Sequence, residues 1–273
     1  MAQYAAQTEA DIIVVAGVYF MAETAKIINP SRKVLLPDTD AGCSLADSCP
    51  PDQFKKFIEF HPGSPVVTYV NCSAEIKALS DIVCTSSNAV KVINSIKTEK
   101  PIIFAPDINL GKYLIEQTGR ELILWNGSCL VHENFSIDKI LDLHAVYPDA
   151  KFIAHPESQP HVLRIASYIG STRGMIDFVK QDHHKQYIVA TEAGIIYQMQ
   201  KEVPHKILIP APAFEDNTCA CSECPYMKMN TLEKLESCLK DETPEITVPE
   251  NIRKKAASAL CAMLDVTSTQ QSS

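Results

Sequence analysis

Glycine is scarce, nine in 273 residues, and no stretch is low in complexity. Collagen-like, mucin-like and disordered chains are excluded on that ground. Positive charge is in deficit, with 25 Lys+Arg against 33 Asp+Glu and a net charge of −8. This argues against nucleic acid, or an anionic membrane, held by bulk electrostatics, though a local basic pocket stays open. Long apolar runs are missing too. The longest, 12–22, falls short of the roughly 20 residues that span a bilayer, and Glu23 closes it. No basic segment precedes that run; Glu9 and Asp11 stand there instead, so it does not read as a secretory signal. The expectation is a cytosolic protein with neither nucleic-acid nor membrane partner.

Cysteine is plentiful, at ten residues. In a reducing compartment these are a metal site or a reactive thiol before they are a disulfide framework. Apolar residues make up 46% of the chain and charged residues 21%, an ordinary globular balance. The length suits two domains or three small ones.

Short apolar runs at 12–16, 33–36, 66–70, 82–84, 102–105, 122–125, 152–154, 187–190 and 207–209 are continuous and rich in Ile and Val. Strands of that kind are buried on both faces, as in a parallel sheet. Segments of helical length lie between them, at 87–96, 110–118, 137–146 and 194–203 among others. The alternation predicts an α/β fold with right-handed crossovers.

The chain also repeats. Slid by 86 residues, Pro65–Tyr69 falls on Lys151–His155, Thr85-Ser86 on Ser171-Thr172, and Ile102–Ala105 on Ile188–Thr191. Ile13–Ala16 makes a further partial copy with only a third and a fourth strand. The expected architecture is a pseudo-three-fold set of αβα units with four-stranded parallel sheets, the first incomplete. Residues 1–50 form the partial first unit, completed by a C-terminal helix within 240–273. Residues 51–138 form the second unit and 139–239 the third.

Polar residues coincide at the repeated strand ends, where α/β folds bind ligands. Tyr69 matches His155, Asn71 matches Glu157, and Ser86 matches Thr172. Ser86 and Thr172 precede helices, where a hydroxyl caps and the helix start also attracts carboxylate or phosphate. After the fourth strand of each unit comes a cysteine: Cys43, Cys129, and one of Cys219, Cys221 and Cys224. If the units pack about an axis, three thiolates meet. A closed zinc site takes four ligands, and Cys219, Cys221 and Cys224 lack a second Cys or His pair. A [4Fe–4S] cluster on three thiolates keeps one iron open as a Lewis acid, suited to dehydration or condensation. Cys49, Cys72, Cys84, Cys238 and Cys261 read as bland, with Cys84 and Cys261 in the core. His132, His144, His161 and His205 have no repeat partner and read as structural or surface, and His183-His184 as solvent-exposed.

The segments Gly17–Lys26, Leu36-Pro-Asp-Thr-Asp-Ala-Gly-Cys-Ser-Leu-Ala-Asp47, Tyr69-Val-Asn-Cys-Ser-Ala-Glu-Ile-Lys77, Ala154-His-Pro-Glu157, Ser171-Thr-Arg-Gly-Met175 and Cys224-Pro-Tyr-Met-Lys-Met-Asn230 closely resemble quinolinate synthase, from Met1 to about Leu235. The resemblance implies de novo NAD synthesis by condensation of iminoaspartate (iminosuccinate) with dihydroxyacetone phosphate, giving quinolinate, phosphate and water. It implies a [4Fe–4S] cluster on Cys43, Cys129 and Cys224, and a functional link to the L-aspartate oxidase that supplies iminoaspartate. Tyr69, Asn71, Ser86, His155, Glu157 and Thr172 would line the pocket, with Tyr69, His155 and Glu157 moving protons. The family pattern also includes an earlier half-domain with a His-x-Tyr strand end and a Gly-Asp-Ser loop, which this sequence does not contain. An inactive or partial chain that only binds the cluster is therefore the alternative expectation. The resemblance leaves open whether Cys219 and Cys221 pair.

Overall fold

A computed structural model describes residues 8–214 and 222–268. Strands β1 (Ile12–Val14) and β2 (Lys33–Leu35) form one sheet. Strands β3 (Val66–Tyr69), β4 (Ile82–Cys84), β5 (Ile102–Ala105) and β6 (Leu122–Leu124) form a second, ordered β4-β3-β5-β6. Strands β7 (Lys151–Ala154), β8 (Tyr168–Ile169), β9 (Gln186–Ala190) and β10 (Ile207–Pro210) form a third, ordered β10-β9-β7-β8. Every pairing between these strands is parallel. The continuous apolar runs explain this: all four residues of β3 and of β5 are buried, so both faces need cover.

Both four-stranded sheets share one order. The first strand is central, the second lies on its one side, and the third and then the fourth lie on the other. The β3–β4 register, with Val67 opposite Ile82, returns in the third sheet as Ile153 opposite Tyr168. The third strand departs from the constant slide. Val66 pairs with Ile103, whereas Phe152 pairs with Ile188, so Ile188 corresponds to Ile103 and not to Ile102. A fixed offset cannot absorb the one residue lost between those strands.

The C-terminal segment wraps the first two sheets. Ile246 N donates to Val34 O at 2.8 Å and Leu36 N to Pro244 O at 3.3 Å, which covers the outer edge of β2. The helix Glu250–Ser268 then packs on the helix Ala74–Ala78 and on β4, with smaller contacts to the helix Tyr19–Ile28. Ala256, Ala259, Leu260 and Met263 bury into the same core as Val67, Val83, Ile93 and Phe104. Its apolar stripe follows helical spacing, and Cys261 lies off that stripe. It is exposed, which corrects the core placement expected for it. Cys49, Cys72, Cys84 and Cys238 are buried.

The first two sheets are also tied by a buried polar contact. Glu23, on the helix Tyr19–Ile28, accepts Ala74 N at 3.0 Å and so caps the helix Ala74–Ala78 from outside. Burial pushes its carboxyl up to about 7, with the Lys77 ammonium pulling the other way. Among the described residues, no helix is long and apolar enough to cross a membrane.

Candidate active site

The strand ends of all three sheets deliver loops to one place, and the backbone pins them alike. Tyr19 N donates to Ala41 O at 2.7 Å, Ile108 N to Gly127 O at 2.8 Å, and Ala193 N to Ser222 O at 2.9 Å. In each case the donor stands at the start of the helix that follows β1, β5 or β9, and the acceptor stands two residues before a cysteine. Those cysteines are Cys43, Cys129 and Cys224. Cys43 and Cys129 sit at the N-caps of the short helices Ser44–Asp47 and Leu130–Glu133, and Cys224 precedes the 3-10 turn Met227–Met229.

Further bonds lash the loops to one another. Leu130 N donates to Ser44 Oγ at 3.1 Å, Trp125 Nε1 to Ser48 O at 2.9 Å, and Asn230 Nδ2 to Gly17 O at 2.7 Å. Gly127 is needed for this closeness. A Cβ there would lie 2.7 Å from Pro106 O and collide with Ser48 Oγ. Gly127→Ala is expected to lower stability by about 1–3 kcal/mol through overpacking and to reduce metal loading by displacing Cys129. Thermal unfolding and bound-iron analysis check this; wild-type values for both would count against the packing role.

All three thiols are half-buried. Burial pushes Cys43 up to about 12, the N–H groups of Ala46 and Leu45 pull it down, and the Cys129 charge pushes it further up. Burial raises Cys224 as well, with the N–H groups of Met227 and Tyr226 opposing and Cys129 again adding. The Cys129 charge thus acts on both of the other sulfurs. Three thiolates in one neighbourhood repel one another unless a cation stands between them. The helix-start N–H groups aimed at Cys43 and Cys224 are what thiolates bound to a metal use. The donor set fits a soft, thiolate-bound metal group.

Beside the sulfurs lies a buried polar cluster. Tyr69 Oη donates to Glu157 Oε1 at 2.6 Å. His132 Nδ1 lies 3.3 Å from Glu157 Oε2, and His155 Nδ1 lies 3.5 Å from Glu157 Oε1. The two imidazoles stack with centroids 4.9 Å apart. Glu157 N donates to His155 Nδ1 at 3.4 Å, which leaves the His155 proton on Nε2. Ser86 reaches the Tyr69 hydroxyl. Asn109 Nδ2 supports the strand-end loop from below, donating to Glu157 O at 3.2 Å and to Glu133 Oε1 at 2.6 Å.

Burial pushes the Glu157 carboxyl up, but the His132 and His155 charges outweigh it and hold it at about 2. Burial lowers His132, yet the Cys129 and Glu157 charges raise it well above the usual imidazole range. Burial pushes His155 down to about 4, Glu157 opposing and His132 adding. At neutral pH the cluster is therefore a carboxylate, an imidazolium and a neutral imidazole. Burial and the Glu157 charge keep the Tyr69 phenol protonated. Here are a charged hydrogen-bond donor, a neutral base and a phenolic acid within one buried site.

Tyr69, Ser86, His155 and Glu157 come together as expected from the sequence. Asn71 is half-buried and Thr172 is exposed, and among the described residues neither hydrogen-bonds to this cluster. The capping hydroxyl is Ser171, which accepts Gly174 N at 3.1 Å, while Thr172 is the first residue inside the helix Thr172–Gln181. The helix expected to follow Ser86 begins only at Ala89, with Asn88 at its N-cap. His132 requires the larger correction. It is buried, and with Cys129 and Glu157 it places potential ligand atoms within 4.8 Å of one another. Lack of a repeat partner hid it; the spacing Cys129-x-x-His132, one turn of a short helix, is the signal that reveals it. Cys219 and Cys221 lie outside the described residues.

A family model described as quinolinate synthetase A protein matches residues 1–265. The chain belongs to the quinolinate synthase family. It is 59% identical over 266 residues to the quinolinate synthase of Microcystis aeruginosa, covering 97% of this chain and 83% of that protein. It is 58% identical over 269 residues to the one from Trichodesmium erythraeum, covering 98% and 83%. To that of Gloeothece citriformis it is 60% identical over 266 residues, covering 97% and 82%. A quinolinate synthase is an enzyme of NAD biosynthesis, and this chain is therefore an enzyme.

Proposed function

We propose that this quinolinate synthase condenses iminoaspartate with dihydroxyacetone phosphate, releasing quinolinate, phosphate and water, with a [4Fe–4S] cluster on Cys43, Cys129 and Cys224. The observation that carries the reading is the shared pinning of three cysteine loops, one from each sheet, beside a buried acid–base cluster. When bound, such a cluster supplies an iron with an open position that polarises a substrate oxygen. The chain's own residues do the rest.

Ring closure requires enolisation, imine formation and loss of water. Tyr69 Oη, held by Glu157 Oε1, and neutral His155, held at Nδ1 by Glu157 N, would handle the protons. The His132 imidazolium offsets negative charge that builds on the substrate. Ser86, Asn71 and Thr172 stand at strand ends and a helix start, suited to carboxylate or phosphate. An L-aspartate oxidase would supply the imine, and the reading is of a cytoplasmic enzyme. Anaerobically reconstituted protein given iminoaspartate and dihydroxyacetone phosphate is expected to form quinolinate and phosphate in equal amounts, read by chromatography and a phosphate assay. Phosphate release without quinolinate would sink the condensation.

A further inference from the structure

One buried carboxyl group in this neighbourhood has a free oxygen. Asp107 follows β5, and its side chain is fully buried. Its Oδ1 accepts Leu110 N at 2.6 Å and so caps the helix Ile108–Thr118. Its Oδ2 has no hydrogen-bond partner among the described residues. Capping alone needs one oxygen. A serine would supply it equally well, without a second polar atom stranded in the interior, where buried polar groups are normally paired.

The repeat makes the contrast sharper. Glu192 holds the equivalent place after β9 and also caps, accepting Gly194 N at 2.9 Å through Oε2. It uses its second oxygen, Oε1, to hold Cys224 N at 3.2 Å. Asp107, one methylene shorter, instead leaves its second oxygen unused. The groups around it are those of the acid–base cluster: the charges of Glu157 and His132 act on Asp107, and Asp107 acts in turn on Tyr69.

We propose that Asp107 is a further substrate-contacting residue, its free carboxyl oxygen donating a hydrogen bond to an oxygen of the bound substrate or product. This rests on the quinolinate-forming reading of the pocket. Burial and the Glu157 charge push the Asp107 carboxyl up, toward the acid form in which it donates. An acid-form donor suits an anionic ligand, which a second buried carboxylate would repel.

The test uses calorimetric titration of quinolinate into the anaerobically reconstituted holoenzyme. Asp107→Ser keeps a capping oxygen and removes the donor; Asp107→Asn keeps the cap and offers an N–H donor in the same place. Both variants are expected to melt within a few degrees of wild type. Affinity is expected to fall tenfold or more in Asp107→Ser and to return to within about threefold of wild type in Asp107→Asn, the ratio reading as about 1.4 kcal/mol per factor of ten. Unchanged affinity in both variants would reduce Asp107 to a cap. Loss in both would make it a charge or an acceptor, and the donor role would fall. A wild-type holoenzyme that binds no quinolinate would overturn the reading of the pocket itself and this inference with it, a result separate from any change confined to the variants.

Discussion

Cys43→Ala, Cys129→Ala and Cys224→Ala, each made singly, are expected to lose the cluster and, with it, quinolinate formation. Each loop comes from a different sheet and is pinned by its own backbone bond, from Tyr19, Ile108 or Ala193. A neighbouring loop is therefore not free to move in and replace a missing sulfur. Cys49, Cys72 and Cys84 lie buried in their own packing, where burial raises their thiols and keeps them protonated. A Lewis-acid iron contributes several kcal/mol to the transition state, so turnover is expected to fall at least ~100-fold. Cys261→Ser, at the exposed position on the C-terminal helix, is expected to keep full iron and full activity. Full iron in any of the three alanine variants would remove that residue from the ligand set.

Glu157→Gln is expected to cut kcat by roughly 10²–10⁴-fold, the usual weight of a positioned acid–base group. The amide offers one acceptor where the carboxylate offers two and carries no charge, so it cannot hold Tyr69 Oη and also pair with the His132 imidazolium. The same substitution has a signature in stability. The Glu157 carboxyl ordinarily titrates near 4.5 and is held at about 2 in the fold. A depressed carboxyl contributes stability above the unfolded value, and that stability is lost as pH falls through the folded one. The window runs from about 4.5 down to about 2. Denaturant unfolding across that range should show wild type losing more stability on acidification than Glu157→Gln does. Parallel curves would mean that Glu157 is not held by charge.

Much of this arrangement was legible because repetition marks it. Runs rich in Ile and Val announced buried parallel strands, and the matched strand ends at Tyr69 and His155 marked loops that meet in one buried polar cluster. The equivalence of strand order in the second and third sheets follows from the same pattern. His132 has no copy to mark it. It belongs to a four-residue helix that follows Cys129 and is held by the bond from Leu130 N to Ser44 Oγ, with no side-chain cap of its own. Strand β8, two residues long, is shorter than any hydrophobic period can report. Ser171 rather than Thr172 caps the helix Thr172–Gln181, since the side chain that reaches the third N–H wins where two hydroxyls are adjacent. The free oxygen of Asp107 becomes visible only once its partners can be enumerated.

Iron, acid-labile sulfide and zinc, counted per chain after anaerobic reconstitution, test the convergence of the three cysteines most directly. About four irons and four sulfides per chain are expected. One zinc per chain with no sulfide, under the same conditions, would contradict it.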